Sequence, residues 1–336
     1  MRGDLSLDVD KLFTPLKGYE RLGLAVSGGP DSLALMLLAA RWAKPRGISL
    51  FVYSVDHGLR AEAAGEVAMV CREAKRLGLP ARALKWSGSK PATGVQEAAR
   101  LARYRLIGDA MKADGVEVLL TAHHMEDQAE TVLMRMAHGS GLEGLKAMLP
   151  MSRVEGILIA RPLLGTPRAD LAAIVEGAGL EPAHDPSNDD LHYERVRWRA
   201  LLPQLTELGL DAARLAKLAE RLADADEAIA GAAATLIAKW ASHEDGFTRF
   251  PIARLRSAYR AVAVRVLARL LDGVHAGRKS RELGPIERLC DRLLDSDRLK
   301  TTLHGSVIAS DGEYLTIRPE KPRRSVGKAQ EKATSH

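Results

Sequence analysis

The sequence predicts an α/β protein: a doubly wound parallel sheet, followed by a helical connector and a small α+β unit. Three observations predict it. Short runs rich in Val, Ile and Leu alternate with longer helical stretches through the first 165 residues. Those runs are close to continuously apolar, as in strands covered on both faces. Aromatic residues make up only 4% while alanine is abundant, which favours helix packing over a β-sandwich.

In chain order, "LGLAVS" (22–27) precedes the helical "SLALMLLAARWA", and "ISLFVYSV" (48–55) precedes "AEAAGEVAMVCREAKRLG". "ARALKW" (81–86) leads through a loop to "GVQEAARLARYRLIGDAMKADG". "VEVLLTA" (116–122) precedes "EDQAETVLMRMAHG", and "ILIARPLL" (157–164) precedes "PRADLAAIVEGAG". In such sheets ligands bind beyond the carboxyl ends of the strands. The polar residues after each strand are therefore the candidates: Ser27 to Ser32, Asp56-His57-Gly58, and His123 onward. Past residue 210, "DAARLAKLAERLADADEAI" spaces Leu215, Leu218, Leu222, Ala225 and Ile229 by threes and fours, one apolar stripe on a helix that Asp211 can cap. Residues 241–318 read as an α+β unit with a basic helix, "LRSAYRAVAVRVLARLLDG", a second helix near "GPIERLCDRLL", and strands "SVIAS" and "YLTIRP" around an Asp311-Gly312 turn. The expected domains are 1–210 (catalytic), 211–240 (connector), 241–320 (α+β) and 321–336, a basic disordered tail.

Composition bounds the function classes. The 336 residues suit two modest domains, and 46% hydrophobic content allows a sizeable core. A net charge of +6 is compatible with an anionic partner such as RNA and with an ordinary solvated surface. Two distant cysteines, Cys71 and Cys290, form no CxxC pair, which points to a reducing cytosol. The N-terminal "MRGDLSLDVDKLF" lacks the apolar core of a signal peptide, and the longest apolar run is far short of a membrane span. A cytoplasmic protein with no membrane partner is expected.

The segment "SGGPDS" (27–32) breaks the chain between a strand and a helix. Its glycines permit positive φ and close backbone approach, and Pro30 suits a first helical turn. Ser27 and Ser32 offer hydroxyls, and the helix start offers free N–H groups. Together Ser27, Gly28, Gly29, Pro30, Asp31 and Ser32 make an oxyanion pocket suited to phosphate. Asp31 adds a carboxylate there, which makes sense where Mg2+ bridges it to polyphosphate. No Walker A pattern is present; "AGRKS" (276–280) resembles one only superficially.

The hexapeptide resembles the SGGxDS signature of the PP-loop, or N-type, ATP pyrophosphatases, which cleave ATP between the α and β phosphates. Four further strings follow in order: "SVDHGLR" (54–60), "QEAARLARYRL" (96–106), "TAHHMEDQAETVLMRMAHGSGLEGLKAM" (121–148) and "RPLLGTPRADL" (161–171). With "HDPSNDDLHYERVRWRALLPQL" (184–205), the set resembles the tRNA(Ile)-lysidine synthase family from about residue 20 to 206. The similarity weakens in "TTLHGSVIASDGEYLTIRPE" (301–320), which lacks the family's glycine-glycine-cysteine.

This resemblance implies a PP-loop fold and an AMP-forming carbon–nitrogen ligase. Its reaction joins free L-lysine to C2 of the wobble cytidine of an isoleucine tRNA with a CAU anticodon. ATP adenylates the base oxygen, pyrophosphate leaves, the lysine ε-amine attacks C2 and AMP departs. ATP and Mg2+ are the expected cofactors, and a homodimer is among the expected assemblies.

His123, His124, Glu126, Asp127 and Glu130 supply candidates for holding the amine and removing its proton. Asp127 and Glu130, three apart, share a helix face, and with His123 and Asp31 they form the expected catalytic set. The family usually carries aspartate where Glu126 stands, so more weight falls on Asp127. Asp56 and His57 close the second strand, either at nucleotide or as an Asx-type turn. Arg100, Arg103, Arg195, Arg197 and Arg199 either grip phosphate and the target base or cover helix surfaces. The alternatives are another PP-loop tRNA modifier, a thiolase, which needs cysteine chemistry, and a tRNA-binding protein without catalysis. The tRNA is expected to contact both domains.

Overall fold

The computed structural model describes residues 7–88, 90–91, 93–183, 190–244, 246–274 and 282–320. The expectations for 184–189, "AGRKS" (276–280) and the tail 321–336 lie outside the described residues. The chain divides into two compact units, Met1–Ala223 and Asp224–His336.

In chain order the first unit contains α1 (Val9–Phe13), β1 (Arg21–Ala25), α2 (Pro30–Ala43), β2 (Ser49–Asp56), α3 (Ala63–Arg76), β3 (Ala81–Lys85), α4 (Val95–Asp114), β4 (Val118–Leu120), α5 (Met125–Ala137) and α6 (Leu142–Leu145). It continues with β5 (Met151–Val154), β6 (Ile157–Ala160), α7 (Arg168–Gly177) and α8 (Glu194–Glu207). The strands form one sheet ordered β3-β2-β1-β4-β6-β5. All neighbours pair in parallel except β5 and β6. The doubly wound parallel sheet is thus present, with one antiparallel edge strand that the sequence reading missed. "ILIARPLL" is strand only over its first four residues, because the chain turns at Arg161.

Both faces are covered. Leu22, Leu24, Val118 and Leu120 pack with Leu33, Leu35, Met36 and Trp42 of α2 and with Leu171 and Val175 of α7. The opposite face packs Leu119 and Ile159 with Tyr104, Ile107 and Met111 of α4. This burial explains why α2 is apolar almost all round. Gly23 is required in β1: an added Cβ would lie 2.8 Å from the Tyr53 ring, whose hydroxyl is anchored on Asp114.

Because β1 continues to β2 on one side while β4 lies on its other side, the topological switch falls between β1 and β4. Their carboxyl ends open the crevice where such sheets bind ligands. "SGGPDS" and "AHHMED" leave from those two ends.

The division between the units falls inside α9 (Ala212–Trp240). Asp211 caps it as expected, its Oδ1 accepting the Arg214 N–H at 2.7 Å. The expected stripe is corrected. Leu215 is buried, but Leu218 and Ala225 are exposed, and the buried positions include Ala219, Asp226 and Ala233. Asp226 can take a buried place because Arg265 neutralises it.

The second unit adds β7 (Ser242–Glu244), β8 (Phe247–Pro251), α10 (Ile252–Arg256), α11 (Arg260–Val274), α12 (Leu283–Asp295), β9 (Leu299–Leu303), β10 (Ser306–Ser310) and β11 (Tyr314–Pro319). The strands form a five-stranded antiparallel sheet ordered β7-β8-β11-β10-β9. Phe250, Ile308, Leu315 and Ile317 pack under α11 and α12. The expected hairpin is present: Asp311 Oδ1 accepts the N–H groups of Glu313 and Tyr314, and Gly312 takes φ +99°. The expected basic helix is two helices, broken between Arg256 and Arg260. Among the described residues no helix is long and apolar enough to cross a membrane.

Candidate active site

The loop after β1 is shaped by its own serine. Ser32, N-terminal in α2 and buried, accepts the N–H groups of Ser27 and Gly28, each at 3.2 Å, and donates to the Gly29 carbonyl at 2.9 Å. The Ser27 hydroxyl lies 3.3 Å away. The Ser32 hydroxyl, expected to face phosphate, is therefore engaged within the loop and holds its curve. Gly28 takes φ +95°, and an added Cβ would meet Met69 at 3.2 Å and Ala183 at 3.4 Å. Pro30 opens α2 as expected, and no side chain caps the helix, so its first-turn amides stay open to an anion.

Asp31 stands on the first turn of α2 between His124 and Arg168. Its Oδ2 lies 3.7 Å from His124 Nε2 and its Oδ1 3.8 Å from Arg168 Nε. Burial pushes its carboxyl above the usual range, against the pull of His124 and Arg168. Oδ1 is buried and accepts no hydrogen bond. Such an orphaned carboxylate oxygen beside a phosphate-type loop suits a hard cation that shares its ligands with polyphosphate and water, so the residues present fit Mg2+.

From β4, Thr121 to Asp127 cross the same crevice. His123 is half-buried, its Nδ1 2.9 Å from Thr121 Oγ1. Burial lowers its pKa to about 4, so the ring is neutral at pH 7. His124 is the residue that faces the loop. It precedes α5, is almost fully buried, and sets Nε2 3.5 Å from Asp127 Oδ2. Burial alone would lower its pKa; the hydrogen bond to Glu126 and the charges of Asp127 and Asp31 outweigh that and raise it. Glu126 Oε2 accepts from His124 Nδ1 at 2.9 Å and from the Arg168 N–H at 3.0 Å. These bonds hold its carboxyl below the usual range despite burial.

Asp127 and Glu130 occupy one face of α5, as their spacing predicts, but in different surroundings. Asp127 Oδ2 caps the His124 N–H at 3.1 Å, and Oδ1 meets Arg195 Nη1 at 3.3 Å; its side chain keeps 12% exposure. Glu130 is 0% exposed and is held by Arg199 Nε at 2.7 Å, with Arg195 Nε at 3.8 Å. Burial raises its carboxyl against the pull of Arg199. Glu130, expected with Asp127 to pair with the amine and accept its proton, is thus enclosed, its oxygens facing two arginines.

The arginine candidates divide. Arg195 and Arg199, four apart on α8, turn toward α5, whereas Arg197 donates to the carbonyls of Leu191 and His192 and faces away. Arg100 is exposed, its guanidinium 5.2 Å from the Tyr104 ring, and Arg103 Nε donates to His57 Nε2 at 3.3 Å. Asp56 forms the Asx turn, accepting the Gly58 N–H at 2.7 Å. His57 packs edge-on to Trp86 at 6.4 Å, and burial and Arg103 lower its pKa to about 4. These last residues gather beyond β2 and β3, away from the β1–β4 cluster in sheet order. Sequence reasoning passed over Arg168, although "TPRADL" places an arginine at the start of a helix after β6, the strand next to β4 in the sheet.

The PP-loop domain family matches residues 2–205. A tRNA(Ile)-lysidine synthase of Rhodopseudomonas palustris is 46% identical over 94% of this chain and 94% of its own length. Proteins of that name from Bradyrhizobium diazoefficiens, 44% identical over 95% of each chain, and Methylobacterium nodulans, 45% identical over 90% and 91%, agree with it. Among solved structures, a tRNA thiolase from Methanococcus maripaludis has the same fold, with TM-score 0.55, 15% identity, and coverage of 64% of this chain and 77% of that one. A glycine loop and a histidine–carboxylate cluster meeting at the β1–β4 switch, within a chain matched over nearly its full length, place this protein in the tRNA(Ile)-lysidine synthase family of PP-loop enzymes.

Proposed function

We propose that this chain binds ATP and ligates free L-lysine to C2 of the wobble cytidine in the CAU-anticodon isoleucine tRNA, forming lysidine, AMP and pyrophosphate. The observation that carries the reading is the meeting of Asp31, within the loop 27–32, with His124 and Arg168, and of His124 with Asp127, at one crevice. In the first half-reaction the cytidine O2 bonds to the α-phosphorus and pyrophosphate leaves. The loop amides and the α2 start hold phosphate oxygens. Asp31 would hold Mg2+, which supplies charge neutralisation on the polyphosphate. Asp56 and His57, at the carboxyl end of the neighbouring strand, are assigned to the nucleoside side.

In the second half-reaction the lysine nitrogen bonds to C2, and the C2–O2 bond breaks with AMP as leaving group. Asp127, whose side chain keeps 12% exposure on the face of α5 that meets Arg195, holds the ammonium. His123 is assigned as the acceptor of the proton that the amine loses. The anticodon loop is single-stranded, so its base enters without melting a duplex. Residues 1–210 form the catalytic domain in this reading, 211–240 the connector and 241–320 a tRNA-contacting domain in a cytoplasmic enzyme.

The test is to incubate the protein with ATP, labelled lysine and total tRNA, digest the RNA and identify the labelled nucleoside. Label in lysidine supports the reading; label in no nucleoside overturns it.

A further inference from the structure

The site holds three arginines, and two are already committed. Arg199 grips Glu130 at 2.7 Å, and Arg195 meets Asp127 at 3.3 Å. Arg168 differs. Among the described residues its carboxylate partner is Asp31, Oδ1 at 3.8 Å, and its side chain is 43% exposed, more than either of the others. That pairing is loose, because a guanidinium at full hydrogen-bond distance from a carboxylate sits about 2.8 Å away.

The backbone beneath it is held firmly. The Arg168 N–H donates to Glu126 Oε2, the oxygen that also accepts from His124. The Met125 N–H donates to the Thr166 carbonyl at 3.0 Å, two residues earlier. Leu171 and Val175 of α7 are buried in the core shared with α2, the helix that begins at the glycine loop. A half-exposed cationic head, loosely paired, on a hydrogen-bonded backbone therefore stands beside Asp31 of the loop.

We infer that Arg168 is a catalytic residue of the first half-reaction: it moves from Asp31 to the β and γ phosphates of ATP and carries the charge that builds on departing pyrophosphate. As O2 bonds to the α-phosphorus, the bond from that phosphorus to the α,β-bridging oxygen breaks. The electron pair stays on pyrophosphate, beside the guanidinium. Arginine suits this position because its fork meets two phosphate oxygens at once. Glu126 is then the strut that sets where the fork begins. The inference rests on the adenylation chemistry proposed above.

The experiment measures pyrophosphate release and lysine incorporation separately, on full-length wild type, R168A and R168K, with ATP, lysine and total tRNA. For R168A the kcat of pyrophosphate release should fall by about 10²-fold or more, as for loss of one transition-state donor. R168K should recover part of that loss. tRNA binding and melting temperature should match the wild type, because the side chain lies at the surface. Adenylated tRNA accumulated by wild type in the absence of lysine, then purified and given to each variant with lysine, should react at the same rate. An unchanged kcat for pyrophosphate release in R168A overturns the inference. So does equal loss of both half-reactions, or a fall in melting temperature with weakened tRNA binding, which marks a structural role. If wild type releases pyrophosphate but makes no lysidine, the substrate assignment fails while the role of Arg168 is still measured.

Discussion

At the scale of single residues, the site depends on groups whose hydrogen bonds are spent locally and on a few whose bonds are not. Ser32 belongs to the first kind. Removing its hydroxyl in Ser32→Ala orphans two loop amides that it now satisfies. A loss of about 1.4 kcal/mol in loop order corresponds to a tenfold weaker site. We expect the KM for ATP to rise about tenfold with little change in melting temperature, read by steady-state pyrophosphate release. Asp31 is of the second kind, with an oxygen that accepts nothing. Asp31→Ala should abolish pyrophosphate release and leave tRNA affinity intact, read by filter binding. Parallel loss of both would mark a folding defect.

His57 makes a prediction about acid. Its folded pKa of about 4 lies below the ordinary 6.5, so the folded state favours the neutral ring. As pH falls from 6.5 toward 4 the unfolded chain takes up the proton first, and stability drops through that window. His57→Gln should flatten the decline in melting temperature between those pH values relative to wild type. An unaltered slope would show that the ring titrates freely.

At the scale of elements, β1 and α5 carry the load. Gly23→Ala forces a methyl against the anchored Tyr53 ring and should cost about 1–3 kcal/mol, measured by denaturant unfolding. On α5, Arg199 holds a fully buried carboxylate. Arg199→Met leaves Glu130 without its closest counter-charge and should cost roughly 3 kcal/mol. Arg199→Met combined with Glu130→Leu should recover much of that stability, because both charges then leave the interior together. The helix α9 shows how spacing alone misleads: threes and fours pointed to Leu218, whereas Ala219 and Asp226, the latter paired with Arg265, take buried places.

At the scale of the whole molecule, charge and topology act together. A chain of net charge +6 that grips tRNA phosphates should lose affinity linearly in log salt concentration, each neutralised phosphate steepening the slope. Affinity for tRNA that is flat between 50 and 200 mM salt would contradict phosphate contacts.

The amino-acid sequence by itself determined the alternating strand–helix order, the "SGGPDS" turn at a helix start and the shared face of Asp127 and Glu130, because these follow from local rules of periodicity, turn chemistry and helix geometry. Only the tertiary structure decided which of those groups meet. His124 rather than His123 faces Asp31, Glu130 is enclosed by arginines, and Arg168 is brought beside the loop from a helix more than a hundred residues away. The physical reason is that neighbours along a strand or helix are set by the backbone, whereas neighbours across the β1–β4 switch are set by sheet order and by which charges can be buried in pairs.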